Sequence, residues 1–416
     1  MNSLNLPFVE PPASVLEAAV HPDPYPFYAA LLQGPPLVFD PDQRFWIAAR
    51  SSVIREALAN PVLRVRPVGQ PVLPAIAGTA AGEVFGDLVR MNDGKRHAAP
   101  KVALSAFLSR VDLDEVRQKA ASMAIATANG KLASARELTT WMLDLPVMTV
   151  ASLLGFADEE CPHIARLTAG FAACLSPHTD VAGLQAASVA AADLRGRLAQ
   201  KVADTAAIRG SALASLQEEA RRSGWTDAGA VLSNLTGLLS QTFEATAGLL
   251  GNCLVALANH SGLLQAVRSG PALRLQLVHE VGRHDPSIHN TRRFAAEATT
   301  LAGVALKEGD AVVLLLGAAG RDPGCHPQPD DLLLHRPNRP TPAFGGGRHQ
   351  CPGQAVASHV VAGALDGWLD VTGGQLGALP SSWHYRPSLN ARVPVFTAFR
   401  GRSSTASHQP YRYGQP

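Results

Sequence analysis

The chain has few cysteines, and none of them lies in a short paired motif. The five are Cys161, Cys174, Cys253, Cys325 and Cys351. An odd number, the absence of a Cys-x-x-Cys pair and the length of the chain argue against a disulfide framework and against a zinc site. We therefore expect a protein of a reducing compartment.

Charged and aromatic residues are also scarce. Charged residues make up 17% of the chain and aromatic residues 6%, and the formal net charge is +2. No block of like charges occurs, so no nucleic-acid partner is expected. Hydrophobic residues make up 46% of the chain, which is enough for a large buried core and unlike a disordered composition.

No uninterrupted apolar run reaches the length of about 18 residues that indicates a membrane span. The first residues, MNSLNLPFVEPP, contain neither the basic nor the apolar region of a signal peptide. We therefore expect no membrane span, and a cytoplasmic location.

Helical periodicity dominates between Leu104 and about Leu264, where apolar residues recur at three- and four-residue spacing. The most apolar stretch, Val231 to Leu257, predicts a central helix that is buried on nearly all sides. Short alternating runs from Arg293 to Leu315 predict strands, and residues 385–399 predict a closing hairpin. The pattern favours a mainly α protein with a smaller β-rich part (α+β).

We expect a single domain over residues 21–400, a loose N-terminal arm over residues 1–20 and a disordered polar tail over residues 401–416. Ser52 is predicted to cap a helix that begins at Val53. The proline-containing segment from Pro61 to Pro74 predicts a long loop, and long loops in compact proteins are usually functional.

The segment with the clearest chemistry is Phe-Gly-Gly-Gly-Arg-His-Gln-Cys-Pro-Gly, residues 344–353. Its glycines permit positive φ and a close approach of the backbone to a flat ligand. Cys351 precedes a helix expected from about Gln354, where backbone N–H groups stabilise a thiolate. Phe344 is placed to pack beside that thiolate and exclude water. A buried structural cysteine is the alternative; a phosphate-binding loop is disfavoured because no Gly-Lys-Ser/Thr follows.

This segment resembles the haem-binding signature of the cytochrome P450 superfamily, Phe-x-x-Gly-x-x-x-Cys-x-Gly. Phe344, Gly347, Cys351 and Gly353 match it at every spacing. The resemblance, to soluble bacterial members, implies the cytochrome P450 fold, with haem b between a long central helix and the helix after the cysteine loop. It makes Cys351 the axial ligand of the haem iron and places His349 on a haem propionate.

Weaker matches lie in the same register from about residue 21 to residue 399. Glu280 and Arg283 resemble the family's structural Glu-x-x-Arg pair, whose third member would be Arg336. Alone, such a pair is an ordinary ion pair on a helix surface. Other positions resemble propionate contacts of the family: His97, Lys101 and Arg293. At Lys101 the family has an arginine.

The central helix departs from the family pattern Ala-Gly-x-Asp/Glu-Thr. Gln241 and Thr242 replace the small pair, Glu244 matches the acid, and Ala245 stands where the family has an alcohol. Delivery of protons to oxygen needs groups that can carry them, and in a regular helix Thr246 points about 100° away from Ala245. Three hypotheses follow: a substrate hydroxyl or water completes the relay, Gln241 or Thr242 does so, or the reaction is not an ordinary hydroxylation.

A second departure is Pro352, directly after the expected ligand. Proline has no N–H, so one possible hydrogen bond to the sulfur is missing. Because such hydrogen bonds tune redox potential, we expect a more electron-rich thiolate.

The resemblance implies an oxidoreductase that uses O2 and electrons from a separate ferredoxin and an NAD(P)H-dependent ferredoxin reductase. Its substrate would be a hydrophobic small molecule, by analogy a natural-product intermediate. Alternatives are a haem-thiolate enzyme that cyclises, couples, dehydrates or rearranges, and a non-catalytic binding module. The expected substrate contacts are Leu238, Ile288, His289, Asn290 and Leu389.

Overall fold

The computed structural model describes residues 10–70, 72–128, 132–176, 178–205 and 211–400. The helices in these ranges are α1 Tyr25–Gln33, α2 Ser51–Ala59, α3 Ala80–Asp87, α4 Lys95–Ser109, α5 Leu113–Ala128, α6 Ala135–Leu153, α7 Cys161–Ala172, α8 Val181–Thr205, α9 Ala212–Ser223, α10 Ala228–Gln241, α11 Ala247–Asn259, α12 Ser261–Arg268, α13 Pro271–His284, α14 Leu316–Ala319 and α15 Gln354–Thr372. The strands are β1 Val38–Asp40, β2 Phe45–Ala48, β3 Leu63–Arg64, β4 Thr291–Ala295, β5 Thr299–Leu301, β6 Val304–Leu306, β7 Ala311–Leu314, β8 Pro380–Tyr385 and β9 Pro394–Phe399.

The longest apolar stretch forms the central helix that its periodicity predicts. Helix α10 starts where the side chain of Asp227 accepts a hydrogen bond from the backbone N–H of Ala230, a normal N-cap. The helical path continues through Thr242–Thr246 into α11. Residues 247–258 of α11 are all buried, so the prediction of a helix enclosed on nearly all sides is confirmed.

The strands form one sheet and two hairpins. The five-stranded sheet has the order β1-β2-β7-β4-β3, in which only β2 and β7 run parallel. Strands β5 and β6 form one antiparallel pair, and β8 and β9 form the other. The closing hairpin therefore begins at Pro380, earlier than the predicted residue 385, and the mainly α architecture with a smaller β part is confirmed.

Helix α15, which follows the cysteine loop, packs on α5 at backbone contact distance. A Cβ at Gly363 would collide with the carbonyl oxygen of Arg117, and a Cβ at Gly367 would lie 2.6 Å from the carbonyl oxygen of Ala121. Only glycine fits at both positions. This contact fixes the position of α15 along α5. Because α15 begins at Gln354, it also fixes the position of Cys351 just before the helix.

The predicted cap of α2 is wrong. The helix begins at Ser51, and Ser52 lies inside it with an exposed side chain. The Asp322 carboxylate accepts a hydrogen bond from the backbone N–H of Ser51 at 2.7 Å, and the Ser51 hydroxyl donates to the carbonyl oxygen of Ala319. A remote segment therefore supplies the cap that a local sequence window assigns to a neighbouring serine.

The described part of the predicted N-terminal arm, residues 10–20, is packed rather than loose, because Val15, Ala18 and Ala19 are buried. The predicted tail at 401–416 lies outside the described residues, and the domain boundaries at 21 and 400 stay predictions. Among the described residues no single helix is long and apolar enough to cross a membrane; Ala228–Asn259 and Gly262–Arg268 meet that test only together, across a bend of 120°.

Candidate functional site

The cysteine loop is built from two short 3₁₀ turns, Pro342–Phe344 and Gly347–His349. Gly347 has φ 59°, and a Cβ there would lie 2.8 Å from the carbonyl oxygen of Leu58, so only glycine is accommodated without strain. The backbone N–H of Cys351 donates to the carbonyl oxygen of Phe344 at 2.8 Å. These contacts fold the ten residues into a closed loop with the thiol at its end.

The Cys351 side chain faces a cavity and is exposed to it. Burial raises the pKa of the Cys351 thiol, while the backbone N–H of Gly353 and the charge of Lys101 lower it. Burial has the larger effect, so the pKa of the free thiol is raised overall, against the stabilisation of a thiolate that the loop was expected to give. A bound metal is what would hold this sulfur as a thiolate, because metal ligation requires deprotonated cysteine.

The cavity has a volume of about 500 Å³ and lies between the cysteine loop and the central helix. Its size is in the range of cofactor and small-molecule sites. The sequence-predicted residues that line it are Leu238, Gln241, Thr242, Glu244, Ala245 and Thr246 on the helix side, Phe344, His349, Cys351 and Gly353 on the loop side, and His97, Lys101, Ile288 and Asn290 at the edges. Gly347 shapes the loop without lining the cavity.

One rim of the cavity collects basic side chains. The rings of His97 and His349 lie 4.2 Å apart between centroids, and the Lys101 ammonium donates to the carbonyl oxygen of Gln350. Burial, with the charges of His349 and Lys101, lowers the pKa of His97 to about 4. A cavity with a thiol on its floor and nitrogen donors on one rim fits a haem with its two propionates.

Asp93 anchors this rim and was not identified from the sequence. His349 Nε2 lies 3.0 Å from Asp93 Oδ1, and the backbone N–H of Val65 donates to Asp93 Oδ2. Burial opposes ionisation, but these hydrogen bonds and the charge of Arg348 lower the pKa of Asp93 to about 2. The ionised carboxylate orients His349.

Arg293 does not line the cavity. It lies buried on β4, and its guanidinium donates to the carbonyl oxygen of Arg292 and the hydroxyl of Thr291. Burial lowers the pKa of Arg293 to about 10, and the nearby Asp93 acts in the opposite direction. Arg293 is therefore close enough to Asp93 for their charges to interact, although its side chain does not line the cavity.

Glu280 and Arg283 form a fully buried ion pair, with Glu280 Oε1 2.7 Å from Arg283 Nη2. Arg336 joins as predicted, its Nε 3.0 Å from Glu280 Oε1. Arg339, which the sequence analysis missed, places its Nε 2.9 Å from Glu280 Oε2. The same helix, α13, also packs against the cysteine loop, since a Cβ at Gly282 would lie 3.7 Å from Cε2 of Phe344.

The wall opposite Cys351 is not a regular α-helix. Residues Thr242–Thr246 form a π-helical turn, a feature often found at functional sites. Ala245 and Thr246 both line the cavity, and the expectation that Thr246 points about 100° away from Ala245 stays a prediction. Within the described residues, the Thr246 hydroxyl makes no hydrogen bond.

The polar side chains that replace the family's small pair are already engaged. Gln241 Nε2 donates to the carbonyl oxygen of Gly237 at 2.9 Å, and the Thr242 hydroxyl donates to that of Leu238 at 2.7 Å. Glu244 faces the cavity; burial raises the pKa of its carboxyl, and the positive charges of Arg386 and Arg90 act against this. Glu244 is therefore the group on this wall that is best able to hold a proton.

Two expected substrate contacts lie elsewhere. His289 is fully buried outside the cavity, where its Nδ1 lies 2.9 Å from the Tyr28 hydroxyl and its Nε2 lies 3.7 Å from Asp285. Leu389 lies on the wall of a separate surface groove. His289 was assigned to the pocket by its place between Ile288 and Asn290, and Leu389 by its place between Ser388 and Asn390; the flanking residues line the cavity, but successive residues in extended chain point to opposite sides.

Arg90 is a cavity residue that the sequence analysis did not single out. It follows α3 in a short turn, Val89–Met91, and lines the cavity near Glu244. The available signal was a lone arginine in the largely apolar run from Val84 to Met91. Arg90 makes no hydrogen bond or ion pair within the described part of the chain.

A family model described as Cytochrome P450 matches residues 273–365. Among curated relatives, the biotin biosynthesis cytochrome P450 of Bacillus subtilis is 33% identical over 139 residues, 33% of this chain and 35% of that protein. Cytochrome P450 144 of Mycobacterium tuberculosis is 34% identical over 217 residues, 51% of this chain and 49% of that protein. The matched part thus spans between about a third and a half of these relatives.

Solved structures share the fold over nearly the whole chain. P450BioI, solved in complex with hexadec-9Z-enoic acid ligated acyl carrier protein, superimposes with a TM-score of 0.78 at 19% identity, over 92% of this chain and 98% of that one. CxnD, described as a cytochrome P450 enzyme for C–S bond formation in chuangxinmycin biosynthesis, gives a TM-score of 0.74 at 20% identity, over 95% of this chain and 100% of that one. The predicted fold is confirmed.

Proposed function

We propose that this chain, which belongs to the cytochrome P450 superfamily, is a haem-thiolate monooxygenase that oxidises a hydrophobic small molecule. The observation that carries the proposal is the thiol of Cys351 on the floor of a cavity whose opposite wall presents Glu244. A ligand for iron and an acid for proton delivery therefore face one space.

Cys351 would hold the iron, and His97, Lys101 and His349 would hold the propionates of a haem, expected to be haem b. Bound through a thiolate, a haem supplies the activation of O2, because thiolate donation favours cleavage of the O–O bond. Pro352 contributes no N–H to the sulfur, so the backbone N–H of Gly353 is the donor that acts on Cys351.

On the opposite wall, burial raises the pKa of Glu244, and Thr246 offers a hydroxyl without a protein partner in the described residues. A relay from Glu244 through water or Thr246 would bring protons to the centre of the cavity. Gln241 and Thr242 are less suited to the task, since their donor groups are bound to carbonyl oxygens of the preceding turn.

The apolar side chains of the cavity, among them Phe85, Leu104, Leu238 and Leu249, exclude water and favour a hydrophobic substrate. A natural-product intermediate is the substrate class we favour, supported by the biosynthetic roles in the names of several neighbours. Electrons would come from a separate ferredoxin and an NAD(P)H-dependent ferredoxin reductase, and a cytoplasmic location stays a prediction.

A second candidate is an oxidation without oxygen insertion, such as coupling or cyclisation. It is favoured by Ala245, which cannot carry a proton, and is supported by CxnD, whose printed description is C–S bond formation. The two candidates differ in the fate of the oxygen atoms.

The test is turnover of a cavity-binding substrate with reductant under isotopically labelled O2. The monooxygenase proposal expects one labelled atom in the product, and an unlabelled oxidised product would select the second candidate. The reduced, CO-bound protein should show thiolate-ligated haem absorbance, which Cys351→Ala should abolish. Haem binding without turnover by any electron donor would leave only a binding module and overturn both.

A further inference from the structure

Arg90 lies on a turn whose backbone is held at the cavity wall by two asparagine side chains. Asn234 on α10 accepts a hydrogen bond from the backbone N–H of Val89 at 2.8 Å. The side chain of Asn92 donates to the carbonyl oxygens of Leu88 and Gly86, at 2.8 and 2.9 Å. Both residues that fix this turn are buried, so the fold fixes the backbone position from which the Arg90 side chain extends.

The Arg90 side chain is exposed and lines the cavity, and no ion pair neutralises it within the described residues. Burial lowers the pKa of Arg90, and the charge of Glu244 opposes that shift. A guanidinium that lines a cavity without a protein partner keeps its N–H donors available to an anionic group there.

Glu244 does not balance the positive charge around it. Arg386 also acts on Glu244, lies with its guanidinium carbon 5.3 Å from the centre of the Phe243 ring, and has a buried Nη1 atom without a hydrogen-bond partner. Arg66 is a further cation beside Arg90. One buried acid therefore faces two arginines, even when it is ionised.

We infer that the cavity takes a hydrophobic molecule that carries one oxyanion group, a carboxylate or a phosphate ester, and that Arg90 binds this group. The inference rests on the proposed function in taking the cavity as the substrate site. A guanidinium matches either oxyanion through two parallel N–H donors. Phe85 and Leu238 on the same cavity wall cover the apolar body of the molecule.

The experiment measures dissociation constants of haem-loaded protein by optical titration and, for ligands without a spectral change, by equilibrium dialysis. The probes are decanoate, dodecanoate and 4-phenylbutyrate, each against its methyl ester, and dodecyl phosphate against dodecanol. We expect at least one anion to bind tenfold or more tightly than its neutral partner, because hydrogen bonds to charged groups are stronger than those between neutral groups. The carboxylate and phosphate arms identify the oxyanion.

Arg90→Gln should reduce this preference to about twofold or less, and Arg90→Lys should retain part of it. Arg55→Gln is the matched control: Arg55 is exposed on α2, so the same loss of charge there should leave the preference unchanged. Equal binding of every anion and its neutral partner, binding of none of the anions, or a preference that survives in Arg90→Gln would overturn the inference.

Haem content separates the remaining explanation. If Arg90→Gln loses haem while its preference for anions is unchanged, Arg90 is a propionate anchor and the inference is wrong. Failure of the proposed function would differ from both, because the wild-type protein would then show no thiolate-ligated haem at all.

Discussion

The hydroxyl of Ser287 donates a hydrogen bond to the carbonyl oxygen of Ala245 over 2.5 Å. Ser287 lies in the segment between α13 and β4, and Ala245 lies in the π-helical turn. The contact ties the irregular part of the central helix to the chain that places Ile288 and Asn290 on the cavity wall.

Ser287→Ala removes this contact. We expect a loss of about 1 kcal/mol in the free energy of unfolding, the usual net contribution of one hydrogen bond, measured by urea denaturation. Ser52→Ala, at an exposed position inside α2, is the control and should cause no loss. Equal stability of both variants would show that the Ser287 contact is not formed in solution.

Ala245→Thr supplies the hydroxyl that the family pattern places at this position. If proton delivery limits productive use of electrons, the variant should raise the ratio of product formed to NAD(P)H consumed. Ala245→Val adds similar bulk without a hydroxyl and should not raise the ratio. An unchanged ratio and an unchanged product in Ala245→Thr would show that this position is not limiting.

Glu244 should make product yield depend on pH. Because burial raises the pKa of its carboxyl, the protonated form persists above the ordinary range of glutamate and is lost as pH rises through the raised pKa. Product per electron should therefore fall on the alkaline side, and Glu244→Gln should lose that dependence while keeping a lower yield. A pH profile that is identical in the variant would exclude Glu244 as the proton donor.

Pro352→Leu and Pro352→Ala each restore a backbone N–H next to the iron ligand. A new hydrogen bond to sulfur withdraws electron density and should raise the reduction potential of the haem-loaded protein. Potentiometric titration measures it. Because the two replacements differ in size but share the N–H, a rise in both assigns the effect to the backbone, and no rise in either contradicts it.

Glu280→Gln leaves Arg283, Arg336 and Arg339 without their shared carboxylate. Loss of one partner from a buried charge cluster costs about 3–5 kcal/mol, so we expect a large drop in the denaturation midpoint. Glu218→Gln removes an acid that pairs with Arg221 and Arg222 at the surface and should leave the midpoint nearly unchanged. Similar midpoints for the two variants would show that the cluster is not buried in solution.

Much of the fold and the centre of the site could be predicted from the sequence, because local spacing determines them. The central helix follows from apolar periodicity, whereas the role of the Cys351 loop and the trio of Glu280, Arg283 and Arg336 follow from the resemblance to the family's motifs. Contacts between segments that are distant in the sequence could not be predicted. Examples are the hydrogen bond from the backbone of Ser51 to Asp322 and the contact of Asp93 with His349.

The π-helical turn and the positions of His289 and Leu389 were not predicted for another reason. A helical window assumes a constant angle per residue, so it cannot reveal a widened turn such as the one at Thr242–Thr246. His289 was assigned by proximity along the chain, whereas its burial against Tyr28 and Asp285 depends on the packing of α1. Arg90 carries no motif, so only its place in the cavity reveals it.

The contact of α5 with α15 has a consequence for protein engineering. Because the backbones of α5 and α15 are in contact at Gly363 and Gly367, neither helix can shift along the other. The cysteine loop that precedes α15, and with it the floor of the cavity, is therefore held in one position. Libraries that vary residues 85–90 and 286–290 would reshape what the cavity accepts while leaving that floor in place. Substitutions at the two glycines would instead tilt the floor, and no change on the opposite wall could correct it.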